Sequence, residues 1–273
     1  MDPFQYQFIS IQYLFTMNNR ITSLLKRKDK NILSIYFTAG YPDLNDTQTI
    51  IAALEKNGAD LIEIGIPFSD PLADGPVIQQ SSEIALKNGM TINLLFEQLK
   101  EIRNRVSIPL ILMGYFNPVM QYGISDFCNK CRETGIDGTI IPDLPLEIYE
   151  AEYKKIFEEN SLSNIFMVTP QSSDERIRKI DFLTTGFIYL VSSSSVTGVK
   201  VTVNKDQISY FERIAGLNLR SKMLIGFGIS DKVSFEKACT TANGAIIGSA
   251  FIKALTGGGA IETKVEAFVK KFF

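Results

Sequence analysis

The sequence predicts an α/β fold in which eight parallel strands, each followed by a helix, close into a barrel. Three observations predict it. Short apolar runs of strand length alternate with longer helical runs through eight units in succession. The strand runs are apolar on both faces, as in a parallel sheet covered by helices. The 273 residues match the roughly 250 that a (β/α)8 TIM barrel needs. An open, doubly wound sheet is the structural alternative. It is weakened because no Gly-x-Gly-x-x-Gly follows the first strand.

The elements follow in order. Residues 1–16 are rich in aromatics and Gln, contain no Lys or Arg, and stand immediately before Met17. They lack the basic start of a signal peptide. We read 1–16 as an N-terminal extension, expected to be disordered, and 17–273 as a single barrel domain. A real N-terminal arm is the alternative. Asn18-Asn19-Arg20-Ile21 opens an extra N-terminal helix. Strand one is expected over Ile32–Phe37, with its helix over Asp46–Asn57. Strand two covers Asp60–Ile64, followed by helical segments 78–88 and 91–105, split near Gly89. Strand three is Leu110–Met113, with helix Ser125–Thr134. Strand four is Gly138–Ile141, with helix Leu146–Asn160. Strand five is Asn164–Val168, with helix Ser173–Thr184. Strand six is Phe187–Val191, with helix Lys205–Gly216. Strand seven is Lys222–Ile225, with helix Ser230–Cys239. Strand eight is Ala245–Ile247. A short extra helix, Ala250–Leu255, and a last helix, Ile261–Phe272, complete the chain.

Composition excludes several functions. Net charge is −2, so no basic field invites nucleic acid or an anionic membrane. No apolar run approaches the roughly 20 residues of a spanning helix. The chain has no histidine, which removes Ser-His-Asp triads, Cys-His pairs and His-ligated metals. Acid/base work near neutral pH then falls to a tuned carboxyl, Lys, Tyr or Cys. Cys128 and Cys131 form a C-x-x-C inside an expected helix, and Cys239 stands apart. Without a second pair or a histidine a structural zinc site lacks ligands, and no metal is expected. A redox pair or buried reduced thiols remain; the helical context favours the thiols, hence a reducing cytoplasm.

The chemistry concentrates in Leu61-Ile62-Glu63-Ile64-Gly65-Ile66-Pro67-Phe68-Ser69-Asp70-Pro71-Leu72-Ala73-Asp74-Gly75. Strand alternation puts Leu61 and Glu63 on one face, Ile62 and Ile64 on the other. Both faces read as buried, so the Glu63 carboxyl enters an environment that disfavours its charge. A buried Glu near a loop Asp makes an acid/base pair, because the two environments push the pKa values apart. A capped strand end with solvated loop aspartates is the plainer alternative. The loops after the first five strands carry the densest chemistry, on the rim where this fold places active sites. After strands six to eight come Ser192-Ser193-Ser194-Ser195-Val196-Thr197-Gly198, Gly226-Phe227-Gly228-Ile229-Ser230 and Gly248-Ser249-Ala250. Glycines, hydroxyls and a helix start suit a phosphate, as does their place in the barrel.

At residues 61–76 the sequence resembles the signature of the tryptophan synthase α subunit. The resemblance runs from about Asn18 to the C-terminus. It includes Phe37-Thr38-Ala39-Gly40-Tyr41-Pro42, Gly114-Tyr115-Phe116-Asn117-Pro118, Pro142-Asp143-Leu144-Pro145, Ser195-Val196-Thr197-Gly198, Gly226-Phe227-Gly228-Ile229-Ser230 and Gly248-Ser249-Ala250. It implies a carbon–carbon lyase that cleaves indole-3-glycerol phosphate to indole and glyceraldehyde 3-phosphate, in L-tryptophan biosynthesis. It implies no cofactor in this chain, and a β subunit partner that uses pyridoxal phosphate, in an α2β2 heterotetramer. The catalytic residues fall on Glu63 and Asp74, and the active-site tyrosine on Tyr189. Contacts to the indole fall on Tyr36, Tyr115 and Phe227. The phosphate site falls on Gly198, Phe227, Gly228, Gly248 and Ser249, with Thr197 in the loop after strand six. That loop departs from the family in carrying Ser195 where many members have Gly. A non-catalytic barrel regulating a β subunit, or another phosphate-binding barrel lyase, is the competing reading. A Schiff-base aldolase needs an inner-strand lysine at the rim, and Lys222 opens strand seven at the opposite end.

The resemblance also implies roles. Glu63, its pKa raised by burial, would move protons at indole C3 and at the glycerol hydroxyl; Asp74, ionised, would accept the indole N–H. Such acid/base groups typically contribute about 10²–10⁴ in rate. The rim residues Pro67, Asp70, Asn117, Pro118 and Asp143 are expected to dock the β subunit.

Overall fold

The structure, a computed structural model, describes residues 19–191, 205–226 and 228–273; of residues 205–208 it describes the backbone. The extension 1–16, Thr197, Gly198 and Phe227 lie outside the described residues.

Nine strand segments, all parallel, form one sheet: β1 Ile32–Thr38, β2 Leu61–Gly65, β3 Leu110–Met113, β4 Gly138–Ile140, β5 Ser163–Ile165, β6 Met167–Val168, β7 Phe187–Val191, β8 Lys222–Gly226 and β9 Gly244–Ile247. Their order is β5-β4-β3-β2-β1-β9-β8-β7-β6. The expected strand five is split. Its first half, β5, pairs with β4 and its second half, β6, with β7. At the break, the Phe166 carbonyl accepts from the Tyr189 N–H at 3.0 Å. One strand thus changes neighbours at Phe166, and this brings the two ends of the sheet together as a nearly closed barrel.

The two faces of each strand go to two cores. Ile32, Leu61, Ile111, Ile140, Ile165, Phe187, Tyr189, Leu224 and Ile246 fill the barrel interior. Leu33, Ile35, Ile62, Ile64, Leu110 and Leu112 face the surrounding helices. The expected alternation at Leu61–Ile64 holds. The N-terminal helix, Arg20–Arg27, inserts Ile21, Leu24 and Leu25 into the interior core and so plugs the N-terminal end of the barrel. Its cap, Asn19, accepts from the Thr22 N–H at 3.0 Å and donates to the Asp137 carbonyl at 3.0 Å and the Ser163 hydroxyl at 2.9 Å.

The helices depart from expectation at three places. The segment Gly114–Pro118, read as a loop, leads into a helix, Phe116–Tyr122. Asp143 accepts the Phe116 N–H at 2.8 Å, and Pro118 sits in the first turn, where its missing N–H costs nothing. The 91–105 segment is a helix over Ile92–Leu99 followed by a 3₁₀ turn over Ile102–Asn104. The 146–160 segment carries a π turn, Tyr149–Tyr153, between Leu146–Ile148 and Lys154–Glu159. The short extra helix follows β9 as expected, over Ser249–Ala254. No helix among the described residues is long and apolar enough to cross a membrane.

Candidate active site

The site is built at the C-terminal half of the barrel interior. Glu63 and Tyr36 are register partners on β2 and β1. Glu63 is fully buried. Its Oε1 accepts a hydrogen bond from Ser34 Oγ at 2.8 Å, and Oε2 has no partner among the described residues. Burial pushes the carboxyl up to about 8, against the opposing pull of the Ser34 bond. At pH 7 it is therefore mainly protonated.

Asp74 lies in the loop after β2 and is half-buried. Its Oδ2 accepts from the Tyr115 hydroxyl at 3.0 Å. That hydroxyl in turn accepts the Ala73 N–H at 3.0 Å, and the Tyr115 ring lies 5.2 Å from that of Phe68. Burial lifts the Asp74 carboxyl to about 6, while the Tyr115 bond lowers it. The plainer alternative of a solvated loop aspartate does not describe Asp74, which is half-buried and bonded to Tyr115. Asp74 still ionises mainly at pH 7, and the two carboxyls hold opposite protonation states there.

Tyr36 and Tyr189 complete the group. Both are buried. Burial, with the charges of Glu63 and Asp74, raises both phenols, so they stay neutral hydrogen-bonding groups. Each hydroxyl crosses the neighbouring strand where that strand ends in glycine. A Cβ on Gly65 would overlap the Tyr36 hydroxyl, and a Cβ on Gly226 that of Tyr189. These glycines and Ser34 were not singled out from sequence. The glycine that closes each strand was the available signal, because a large side chain crossing a strand needs a neighbour without one.

Beyond this group, Gly228 follows β8 with φ +77° and Gly248 follows the adjacent β9. A Cβ on Gly248 would stand 3.3 Å from the Tyr36 ring, so its backbone lies against the same aromatic wall. Ser249 opens the short helix beside it. Among the rim residues, Asp70, Asn117 and Asp143 are exposed and Pro118 is half-buried. Pro67, in the same loop as Asp70, is buried. Lys222 is remote from the site, its Nζ paired with Asp29 at 2.9 Å and bonded to the Lys28 carbonyl at 3.1 Å. Among the described residues no cluster of His, Cys, Asp and Glu could hold a metal. Cys128 and Cys131 are buried thiols, both pushed up by burial.

This geometry has relatives. The family model described as tryptophan synthase alpha chain matches residues 22–272. The tryptophan synthase alpha chain of Flavobacterium psychrophilum is 60% identical over 255 residues, covering 93% of this chain and 100% of that one. That of Flavobacterium johnsoniae is 61% identical over 251 residues, 92% of this chain and 98% of the other. Among solved structures, the tryptophan synthase A-subunit of Pyrococcus furiosus superposes with a TM-score of 0.81 at 35% identity, over 90% of this chain and 98% of that one. A chain of the tryptophan synthase complex from the same organism matches with a TM-score of 0.81 at 34% identity, over 90% of this chain and 98% of its own.

Proposed function

The chain belongs to the tryptophan synthase alpha chain family, and from that premise we propose that Glu63 and Asp74 are its catalytic pair. The reaction is the retro-aldol cleavage of indole-3-glycerol phosphate to indole and glyceraldehyde 3-phosphate, the α reaction of tryptophan biosynthesis. One observation carries the residue assignment: two carboxyls at the C-terminal mouth of the barrel, held at about 8 and about 6 by their surroundings. Cleavage needs a proton at indole C3, an acceptor for the ring N–H and a base for the glycerol hydroxyl. Glu63, protonated at neutral pH, donates to C3 and then accepts from the hydroxyl. Asp74, ionised, accepts the indole N–H and favours the tautomer whose C3 bond breaks. Tyr115 aims Asp74. Tyr36 and Tyr189 wall the pocket. The backbone at Gly228, Gly248 and Ser249 takes the phosphate and holds the glycerol chain in place for the transfer.

These steps use carboxyls alone, so in this reading the chain works without a cofactor. Pyridoxal phosphate belongs to a β subunit, with which the chain forms an α2β2 assembly in the cytoplasm. Asp70, Asn117, Pro118 and Asp143 form the docking rim, on the side of Asp74 and away from the phosphate backbone. A partner seated there moves Asp74 without disturbing the phosphate, a linkage typically worth about 1–3 kcal/mol. The test is to follow indole release from indole-3-glycerol phosphate by the purified chain, with and without a β subunit. Cleavage by the chain alone and stimulation by the partner are expected. Asp70→Ala with Asn117→Ala is expected to keep the basal rate and lose the stimulation. If stimulation survives, the docking rim lies elsewhere.

A further inference from the structure

Glu63 holds its two oxygens in unlike surroundings. Oε1 receives the Ser34 hydroxyl at 2.8 Å, while Oε2 is buried with no partner among the described residues. Ser34 is fully buried on β1, two residues before Tyr36, and Ser34 and Glu63 lie on adjacent strands of the barrel. A serine is out of character in Ile-Leu-Ser-Ile-Tyr-Phe, since a buried hydroxyl is retained only where it has a partner. Here the partner is the carboxyl. A carboxylic acid whose Oε1 already accepts a hydrogen bond carries its own proton on the other oxygen.

We propose that Ser34 is a positioning residue. Its hydroxyl fixes Oε1, sets the rotation of the carboxyl plane, and leaves Oε2 as the oxygen that exchanges the proton with substrate. The inference rests on the catalytic reading of Glu63. Around the carboxyl stand Tyr36 from β1 and Tyr189 from β7, both neutral, and Asp74 contributes its charge to the same two phenols. Burial and the Ser34 bond are the influences on Glu63, and no ion pair reaches it among the described residues. The Ser34 bond favours the ionised form, so losing it moves the carboxyl further up.

The experiment measures kcat and KM for indole-3-glycerol phosphate against pH in the full-length chain, for wild type, Ser34→Ala and Ser34→Cys. In Ser34→Ala, kcat falls roughly ten-fold with little change in KM, as expected for lost alignment. The limb on which activity is lost as pH rises moves up by about one unit, the size of a lost hydrogen bond to a charged group. Ser34→Cys, close in volume and a weak donor, falls between. Infrared difference spectra against Glu63→Gln show the carboxyl C=O band shifted to higher frequency in Ser34→Ala. In the Glu63→Gln background, Ser34→Ala changes the residual rate no further. An unmoved limb and C=O band in Ser34→Ala, with Glu63→Gln inactive, overturns the role of Ser34 and leaves that of Glu63 standing. An active Glu63→Gln removes both.

Discussion

Two carboxyl groups lie on or beside barrel strands out of contact with water, and the barrel treats them in opposite ways. Asp137, 2% exposed just before β4, sits at the N-terminal end. Its oxygens take Arg103 at 2.6 Å, Arg20 at 3.1 Å and the Leu110 N–H at 3.0 Å. Glu63, fully buried on β2, has one neutral hydroxyl and, among the described residues, no cation. The first is paired with two guanidinium groups and ties the plugging helix, β3 and β4 together. The second is left to be neutralised by a proton. A fully paired buried carboxylate is a structural clamp; one that is only half bonded is a proton store. The same division separates the stability face from the chemistry face in barrels of this kind.

The comparison is broken or sharpened by four substitutions or titrations. The largest effect is expected for Glu63→Gln, which keeps the volume and removes the proton. Cleavage should fall by at least about 100-fold, the usual size of an acid/base contribution, with the fold intact by circular dichroism. More than about a tenth of wild-type activity would take the proton-store role away from Glu63. At the other end, Asp137→Ala should leave kcat of the folded protein near normal and cost about 3 kcal/mol in urea denaturation. It leaves the Arg103 guanidinium, which burial already pulls down to about 10, with carbonyl partners but without its carboxylate. Should stability be unchanged, the clamp reading fails.

The third is a titration of stability. Glu63 ionises near 4.5 when unfolded and near 8 when folded. The folded chain therefore binds the extra proton between these values. Its contribution to stability is complete below about pH 4.5 and is lost as pH rises through about 8. Wild type should lose on the order of a few kcal/mol across that window relative to Glu63→Gln, in parallel urea titrations. Parallel curves for the two proteins would mean that the carboxyl is not desolvated as described. The smallest effect is expected for Tyr115→Phe. It removes the bond that lowers Asp74, so kcat/KM should fall by about ten-fold and its low-pH limb should move upward from about 6. A limb that stays in place would detach Tyr115 from Asp74.

Much of this molecule was legible in its sequence. Alternation along Leu61–Ile64 grouped Glu63 with Leu61 on one buried face, because strand period and apolar content are local properties; which face is the barrel interior came from the structure. The same local logic located the strands to within a residue or two and put the unusual residues on the loops after them. The absence of histidine narrowed the acid/base groups before any contact was known. Sequence reading failed where the chain chooses among distant partners. The helix Phe116–Tyr122 depends on a capping oxygen from Asp143, 27 residues away. The split at Phe166 exists only because a barrel must close. Ser34 meets Glu63 across 29 residues of chain, and Tyr115 meets Asp74 across 41. Such bonds are decided by strand register and barrel curvature at the scale of an ångström, which composition and period do not encode. The sequence alone determined that a carboxyl would be buried at the mouth of a barrel. Only the tertiary structure decided that one of its oxygens is bonded and the other, among the described residues, without a partner.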